Sequence, residues 1–235
     1  MSQHQAPPRP LITRSPLKRH GSWFVVGLVL AFALPFFLTD LLHLPRDLYY
    51  GLYAVAVVGF FVSWARSTGQ RLSRMMRRKV ALATGLGLLF GGVLALLVVR
   101  TEPATAGPNG LELAAAVLWR GIVYGAADGL LLSAFPILVV VAATRGSRVR
   151  RRYRGRVLIG AVALLASLLM TTVYHLGYAD FRSAKLAKPV TGDLIWSVPT
   201  LITLNPVGAP IAHAGLHVAA VLHAYDTDTY LPPHG

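Results

Sequence analysis

Long apolar runs constrain the fold of this chain more than any other feature. Residues 23–42, 48–65, 80–99 and 157–178 are almost entirely apolar, and a helix of about 20 such residues crosses the hydrocarbon core of a bilayer. Only 14% of the 235 residues are charged, against about a quarter in a soluble domain. The sequence therefore predicts an integral, all-α membrane protein whose helices contact the lipid bilayer.

Two further apolar regions are interrupted. Residues 111–143 contain three ionisable side chains, and residues 194–224 are split at Asn205-Pro206 into a short helix and a helix with several histidines. A broken membrane helix is tolerated inside protein or beside water, so the break predicts either a polar cavity or a hairpin turn. With these regions included, the pattern predicts a polytopic bundle of about seven to eight membrane segments.

Positive charge predicts the orientation. Residues 66–79 carry six positive side chains and residues 145–156 carry seven, with no acidic residue in either loop. Because Lys and Arg collect in cytoplasmic loops, these loops and the N-terminus are predicted to be cytoplasmic, in a protein of the cytoplasmic membrane. An odd number of crossings must then separate the loops. Residues 111–143 are either one long tilted helix or a span with a re-entrant piece, broken near 125–129, and the side of the C-terminus stays open.

The net charge of +14 does not indicate a nucleic-acid partner. The positive residues lie in short links between apolar runs, not on an aromatic-interleaved face, and such links adhere to anionic lipid headgroups. The chain has no cysteine, which excludes a disulfide framework, a thiolate metal site and a cysteine nucleophile.

The domain organisation is simple. Residues 1–21 are polar, basic and proline-rich, which predicts a disordered cytoplasmic tail. The apolar run that follows is longer than the core of a signal peptide and is interpreted as an anchor. Residues 22–225 are predicted to form a single membrane domain, and residues 226–235 a short C-terminal tail.

Small and aromatic residues give expectations about packing. Tyr49, Tyr50 and Trp64 lie near the ends of an apolar run and are expected at the membrane interfaces. Small residues let helix backbones approach each other, so the third run is expected to make close contacts through its glycines, Gly85, Gly87, Gly91 and Gly92.

Arg120 is a buried cation in an apolar segment. A charged group inside a membrane costs about 2.5–3.5 kcal/mol on insertion scales and therefore needs a partner or a cavity. One interpretation is that Arg120 pairs with Glu112 or Asp128 on the same helix. The other is that its planar guanidinium orients a carboxylate or another anionic group.

Three histidines share the apolar segment GAPIAHAGLHVAAVLHAY, residues 208–225. His213 and His217 are four residues apart, so they lie one turn apart on one helix face. Two imidazoles at this spacing suit Zn²⁺, which makes zinc the candidate cofactor. The metalloprotease motif also needs a glutamate after the first histidine, and Ala214 stands there. His223 lies off that face and is expected at the interface.

His175 closes the segment LLMTTVYHLGY. It is a candidate metal ligand or proton carrier, and equally an interfacial histidine beside Tyr174 and Tyr178. A pocket that joins Arg120, His175, His213 and His217 from three helices would be similar to a buried active site.

The order of these residues resembles the CAAX-protease and bacteriocin-processing (CPBP, Abi) intramembrane family. Its motif E-E-x-x-x-R resembles AAVLWRG, F-x-x-x-H resembles TTVYH, and H-x-x-x-N resembles HAGLH. Arg120, His175 and His213 match the arginine and histidines of those motifs, and His217 stands where asparagine is usual. The resemblance covers roughly 110–225 and implies an all-helical CPBP-like core and an intramembrane endopeptidase with Arg120, His175 and His213 as catalytic residues.

This sequence departs from the motifs of that family at positions that matter for catalysis. Ala115 and Ala116 occupy the positions of the two glutamates, which in that family are thought to activate the water molecule, and Thr171 replaces the phenylalanine. Glu112 lies about one turn earlier and would have to substitute as the base.

The sequence is therefore compatible with three functions. The first is a non-catalytic CPBP-like pocket, or one of unproven catalysis, that binds a peptide, an ion or a partner subunit. The second is a metal-assisted intramembrane peptidase in which His175, His213 and His217 hold the metal, because a metal-bound water needs less help from a protein base. The third is a small transporter that depends on Asp128 and Arg120.

Overall fold

A computed structural model describes residues 16–227 and 229–232, and this part of the chain is helical and contains no strand. Nine α-helical elements follow each other: α1 Pro16–Leu41, α2 Arg46–Ser67, α3 Leu72–Arg77, α4 Val80–Thr101, α5 Gly110–Ala143, α6 Tyr153–Leu176, α7 Ala187–Trp196, α8 Val198–Thr203 and α9 Gly208–His223. Of the predicted tail, residues 1–15 lie outside the described residues, and residues 16–21 begin α1.

Five helices are long and apolar enough to cross a membrane, namely α1, α2, α4, α5 and α6. The protein is therefore a multi-pass membrane protein by the length and composition of its helices. The finer count of seven to eight segments stays a prediction, because α7, α8 and α9 are shorter than a spanning helix.

Residues 110–143 form a single helix of 34 residues, which settles the choice between one long helix and a broken segment. At about 1.5 Å per residue such a helix is roughly 51 Å long, longer than the ~30 Å hydrocarbon core, so α5 tilts or extends beyond it. Two wide π-helical stretches, Val117–Tyr124 and Leu130–Ala134, flank its centre. Such stretches often occur at functional sites.

The histidine helix α9 packs between α4 and α5 through glycines. A Cβ atom at Gly87 would lie 2.8 Å from the Cβ atom of Ile211, and Gly91 faces the backbone of Ala212. The predicted close contacts of the third apolar run are thus confirmed for these two glycines. They are wrong for Gly85 and Gly92, whose Cβ positions meet nothing within 4 Å, because those two glycines lie on another face of α4.

Gly121, Gly125 and Gly129 of α5 form a second glycine row, which contacts α9 from the other side. At Gly129 a Cβ atom would lie 2.8 Å from both the carbonyl oxygen of Ala209 and the Cα atom of Pro210. These are backbone atoms that cannot rotate away, so the backbones of α5 and α9 are in direct contact at Gly129.

The other half of the bundle has an aromatic core between α1, α2, α5 and α6. Tyr49, Tyr50 and Trp64 belong to it and are fully buried. Each ring packs on other rings of the core, so these residues do not face lipid, and their place at the membrane interfaces stays a prediction.

Asn205-Pro206 forms the turn between α8 and α9, in agreement with the hairpin alternative. Leu204 enters the turn with φ = 53°, and the Asn205 side-chain amide donates hydrogen bonds of 2.8 Å and 2.6 Å to the carbonyl oxygens of Met76 and Arg78. The turn thereby fastens the short helix α3 and the residue that follows it to the bundle.

Candidate metal centre

Asp128 of α5 and His213 and His217 of α9 meet inside the bundle. Each is at most 3% exposed, and one potential ligand atom from each lies within 4.8 Å of the other two. The spacing of four residues stacks the two imidazoles, with ring centroids 4.9 Å apart and planes 9° apart. The glycine row of α5 brings Asp128 close to this pair.

The distances within this group approach those of a metal site. Asp128 Oδ2 lies 3.4 Å from His213 Nε2 and 3.7 Å from His217 Nε2. Ligand atoms of a tetrahedral ion, each about 2.0–2.2 Å from the metal, lie roughly 3.3–3.6 Å apart. Small side-chain movements would therefore place all three ligand atoms around one ion.

The histidines lack the hydrogen bonds that buried imidazoles usually make. Nδ1 of His213 and both ring nitrogens of His217 have no hydrogen-bond partner among the described residues. Buried polar atoms are normally paired, and exceptions ask for an explanation such as an ion. Asp128, His213 and His217 are therefore a buried group that could hold a metal ion.

Neighbouring side chains orient each member of the group. The hydroxyl of Tyr53 donates a 2.5 Å hydrogen bond to Asp128 Oδ1, which leaves Oδ2 directed at the histidines. His213 packs on the ring of Trp196 at 4.2 Å between centroids, and His217 on Tyr124 at 5.0 Å. Contacts of this kind around the ligands fix their orientation at metal sites.

A cluster of buried tyrosines adjoins the group. The hydroxyl oxygen of Tyr174 lies 2.7 Å from that of Tyr124, 2.7 Å from that of Tyr178 and 3.2 Å from that of Tyr49. These phenols satisfy one another's hydrogen bonds, and Tyr53, which packs on Tyr49, Tyr124 and Tyr174, links the cluster to Asp128. The sequence signal for the cluster was the spacing of four between residues 49 and 53 and between residues 174 and 178.

A cavity of about 360 Å³ opens beside the three candidate ligands and is also lined by His175. His175 Nδ1 lies 2.8 Å from the Thr171 carbonyl oxygen. Because a carbonyl can only accept, Nδ1 carries the proton in the neutral ring and Nε2 keeps a lone pair. His175 thus shares a cavity with the group although it does not belong to it.

The rest of the cavity wall is mainly apolar, with Leu94 and Leu97 of α4, Ile195 of α7 and Leu216 of α9. Lys188 also lines the cavity, and its ammonium group forms a 3.0 Å ion pair with Glu102. The wall therefore suits an apolar ligand that approaches the three polar side chains.

Arg120 does not contact the three candidate ligands. Its guanidinium forms a two-pronged ion pair with Asp47 of α2, at 2.8 Å and 2.7 Å. The expected pairing with Glu112 or Asp128 is wrong, because Asp47 presents both carboxylate oxygens to Arg120 while Asp128 faces Tyr53 and α9. Glu112 is exposed and lies sixteen residues before Asp128, about 24 Å along the same helix.

A second buried carboxylate, Asp193 of α7, was not singled out in the sequence. It accepts hydrogen bonds from Ser197 at 2.6 Å, from Ser167 at 3.0 Å and from Thr171 at 3.1 Å. With hydroxyl donors on both oxygens, this carboxylate is satisfied by the protein and differs in this respect from the histidines of the metal group.

No family model, curated protein or solved structure matches this chain. The resemblance to CPBP proteases stays a prediction, and the function is argued from the geometry of the site.

Proposed function

We propose that this membrane protein binds a divalent transition metal, with zinc as the first candidate, through Asp128, His213 and His217. One observation carries the proposal: three potential ligand atoms lie within 4.8 Å of one another in a buried site, where several ring nitrogens have no other partner. Two imidazoles and a carboxylate form a ligand set that zinc commonly uses.

The number of ligands favours a catalytic over a structural metal site. Structural zinc sites are usually closed by four protein ligands, whereas catalytic sites have three and keep one position open. Here three ligands border a cavity, which would provide the open position. This arrangement favours reactions in which a ligand enters from that cavity.

Metal-assisted hydrolysis of a membrane-embedded peptide is the activity that this arrangement supports best. A bound metal ion would polarise a carbonyl and lower the pKa of a bound water molecule, which compensates for the alanines at positions 115 and 116. In the protein itself, Tyr53 holds Asp128 in place, the leucines of the cavity wall hold the apolar substrate, and Nε2 of His175 accepts a proton. This proposal agrees with the resemblance to CPBP proteases.

A non-catalytic pocket for a peptide or ion remains the second candidate, favoured by the absence of a carboxylate base in the cavity besides Asp128 among the described lining residues. The transporter hypothesis is weakened, since it relied on Arg120 acting together with Asp128, and these two residues have different partners.

Metal content tests the proposal. The protein is purified in detergent with zinc in the medium, and bound metal is measured for the wild type, for His213→Ala/His217→Ala and for His223→Ala. We expect near-stoichiometric zinc in the wild type and in the His223→Ala control, whose histidine lies on the same helix but contacts the Glu102 carbonyl. The double variant should lose the metal, and a wild type that takes up no metal would refute the proposal.

The variant His175→Ala then distinguishes a role of His175 in zinc binding from a role in peptide cleavage. Cleavage of a transmembrane peptide is measured with the loaded protein. Retained zinc with lost cleavage would make His175 the proton carrier, whereas loss of zinc would make it a fourth ligand. Zinc binding without any cleavage in the wild type would favour the non-catalytic pocket.

A further inference from the structure

A second cavity lies at the end of the bundle that carries the basic loops. It has a volume of about 610 Å³, within the usual range for ligand sites. Six arginines line it, Arg71, Arg74, Arg77, Arg78, Arg145 and Arg150. We refer to it as the arginine cavity. It shares no lining residue with the cavity at Asp128.

The charge of the arginine cavity is not neutralised by the protein. The chain has no acidic residue between positions 48 and 101 or between positions 129 and 179, and none of the ion pairs of the described residues involves these six arginines. Arg145 and Arg150 donate instead to neutral oxygens of Gln70 and Val141, at 3.0 Å and 3.4 Å. Six guanidinium groups around one space repel each other, and an anion in that space would relieve the repulsion.

The loop that presents four of these arginines is fixed in place. Leu72 and Met75 of α3 pack against the aromatic core, and Asn205 holds the carbonyl groups of Met76 and Arg78. The backbone that carries these arginines is therefore in place before any ligand arrives, which reduces the entropy lost on binding.

An apolar groove continues from the arginine cavity. This groove has a volume of about 160 Å³ and shares Val141, Arg150 and Leu204 with the cavity. Its other lining includes Ile159, Gly160 and Ala163 of α6 and Leu201 of α8. A ligand that fits both parts has an anionic head and an apolar chain.

We infer that the arginine cavity binds the headgroup of an anionic phospholipid that carries more than one phosphate, with an acyl chain in the adjoining groove. Guanidinium groups bind phosphate oxygens through paired hydrogen bonds, and basic pockets between membrane helices are known to accept such headgroups. The same phosphate chemistry is offered by free phosphates, but the groove favours the lipid. This inference is independent of the proposed metal site.

Native mass spectrometry of the detergent-purified full chain tests the inference. Cardiolipin, with two phosphodiesters in one headgroup, is compared with phosphatidylcholine. The test variant is Arg74→Gln/Arg77→Gln/Arg145→Gln/Arg150→Gln. The matched control, Arg148→Gln/Arg151→Gln/Arg152→Gln/Arg154→Gln, removes four charges from the same end of the bundle without touching the cavity or the groove. An unchanged melting temperature in detergent and a single size-exclusion peak show that each variant is folded.

We expect cardiolipin to bind the wild type and the control variant, and to lose about tenfold or more in affinity in the test variant. Equal losses in both quadruple variants would overturn the inference, because attraction to a diffuse basic surface would explain them. Failure of cardiolipin to bind the wild type better than phosphatidylcholine would also overturn it.

Gly160→Leu distinguishes the lipid from free phosphate and does not depend on the arginine variants. A Cβ atom at Gly160 meets nothing within 4 Å, so leucine would fill the groove without displacing the protein. We expect weaker cardiolipin binding in this variant, and no competition by inorganic pyrophosphate in the wild type. Unchanged cardiolipin binding in Gly160→Leu, together with displacement by pyrophosphate, would assign the cavity to free phosphates and overturn the lipid assignment.

Discussion

The two cavities lie toward opposite ends of α4 and are built in opposite ways. The cavity at Asp128 adjoins the second half of α4, from Leu94 to Thr101, and its polar groups project from long helices. The arginine cavity precedes the start of α4 and takes its charges mainly from loops and a six-residue helix. The cavity at Asp128 contains a small number of polar groups, and these are deeply buried. The arginine cavity contains many polar groups, and these are in contact with water.

This difference matters because ionisable groups cost free energy only where water is excluded. A charged residue at the centre of a membrane helix costs about 2.5–3.5 kcal/mol on insertion scales, whereas a loop arginine retains its hydration. A buried polar group that is retained therefore indicates a local function or a local partner. A loop arginine mainly indicates how the chain is oriented in the membrane. A ligand is suggested here because six arginines line one cavity.

The largest effect is expected from a larger side chain at the contact between α5 and α9. In Gly129→Val the new side chain would meet the backbone of residues 209 and 210 at 2.8 Å. We expect a destabilisation of about 1–3 kcal/mol, a lower melting temperature in detergent and loss of zinc, since Asp128 and the histidines would be separated. Gly92→Val on α4 is the control, because its Cβ position is open. Equal behaviour of both variants would contradict the packing described for α9.

A smaller effect is expected from Tyr53→Phe, which keeps the ring and removes the hydroxyl donor to Asp128 Oδ1. Loss of a hydrogen bond that orients a metal ligand typically lowers metal affinity about 10- to 100-fold, and a competition titration with a zinc chelator would measure this decrease. Tyr50→Phe provides the control, since the buried hydroxyl of Tyr50 has no hydrogen-bond partner among the described residues. If both variants bind zinc as the wild type does, Tyr53 does not position Asp128.

The smallest effect on the bundle is expected from Asn205→Ala. This change removes the side-chain amide that binds the Met76 and Arg78 carbonyls, at a cost of about 0.5–1.5 kcal/mol because water can replace the amide in this exposed segment. We expect faster tryptic cleavage within residues 71–78 and unchanged zinc content. A simultaneous loss of zinc would show that the two cavities are structurally coupled, whereas cavities that share no lining residue are expected to be independent.

The helical fold was predictable because hydrophobic run length is a local property. The spacing of His213 and His217 was equally informative, since residues four apart on a helix must lie on one face. The third candidate ligand was harder to predict. Asp128 was recognised as a buried acid, but its approach to α9 depends on glycines in both helices that bring the backbones together.

Long-range pairs account for most of what the sequence did not predict. Arg120 binds Asp47, 73 residues away, although two acids on its own helix were the nearer candidates. Tyr49 was expected at a membrane interface from its place near the end of an apolar run, and its hydroxyl lies against that of Tyr174, 125 residues away. Local pattern indicates that a polar group needs a partner, whereas tertiary packing decides which partner it finds.

The glycine row of α5 has a consequence for motion. In an ordinary α-helix, residues four apart drift by about 40° around the axis, so a row at this spacing would soon leave its neighbour. The wide turn at Val117–Tyr124, which contains Gly121, reduces that drift at the start of the row, and the row faces α9 over successive turns. The two helices therefore meet along a line over several turns, which resists tilting of α9 relative to α5. Because His213 and His217 both lie on α9, this line of contact keeps both imidazoles beside Asp128.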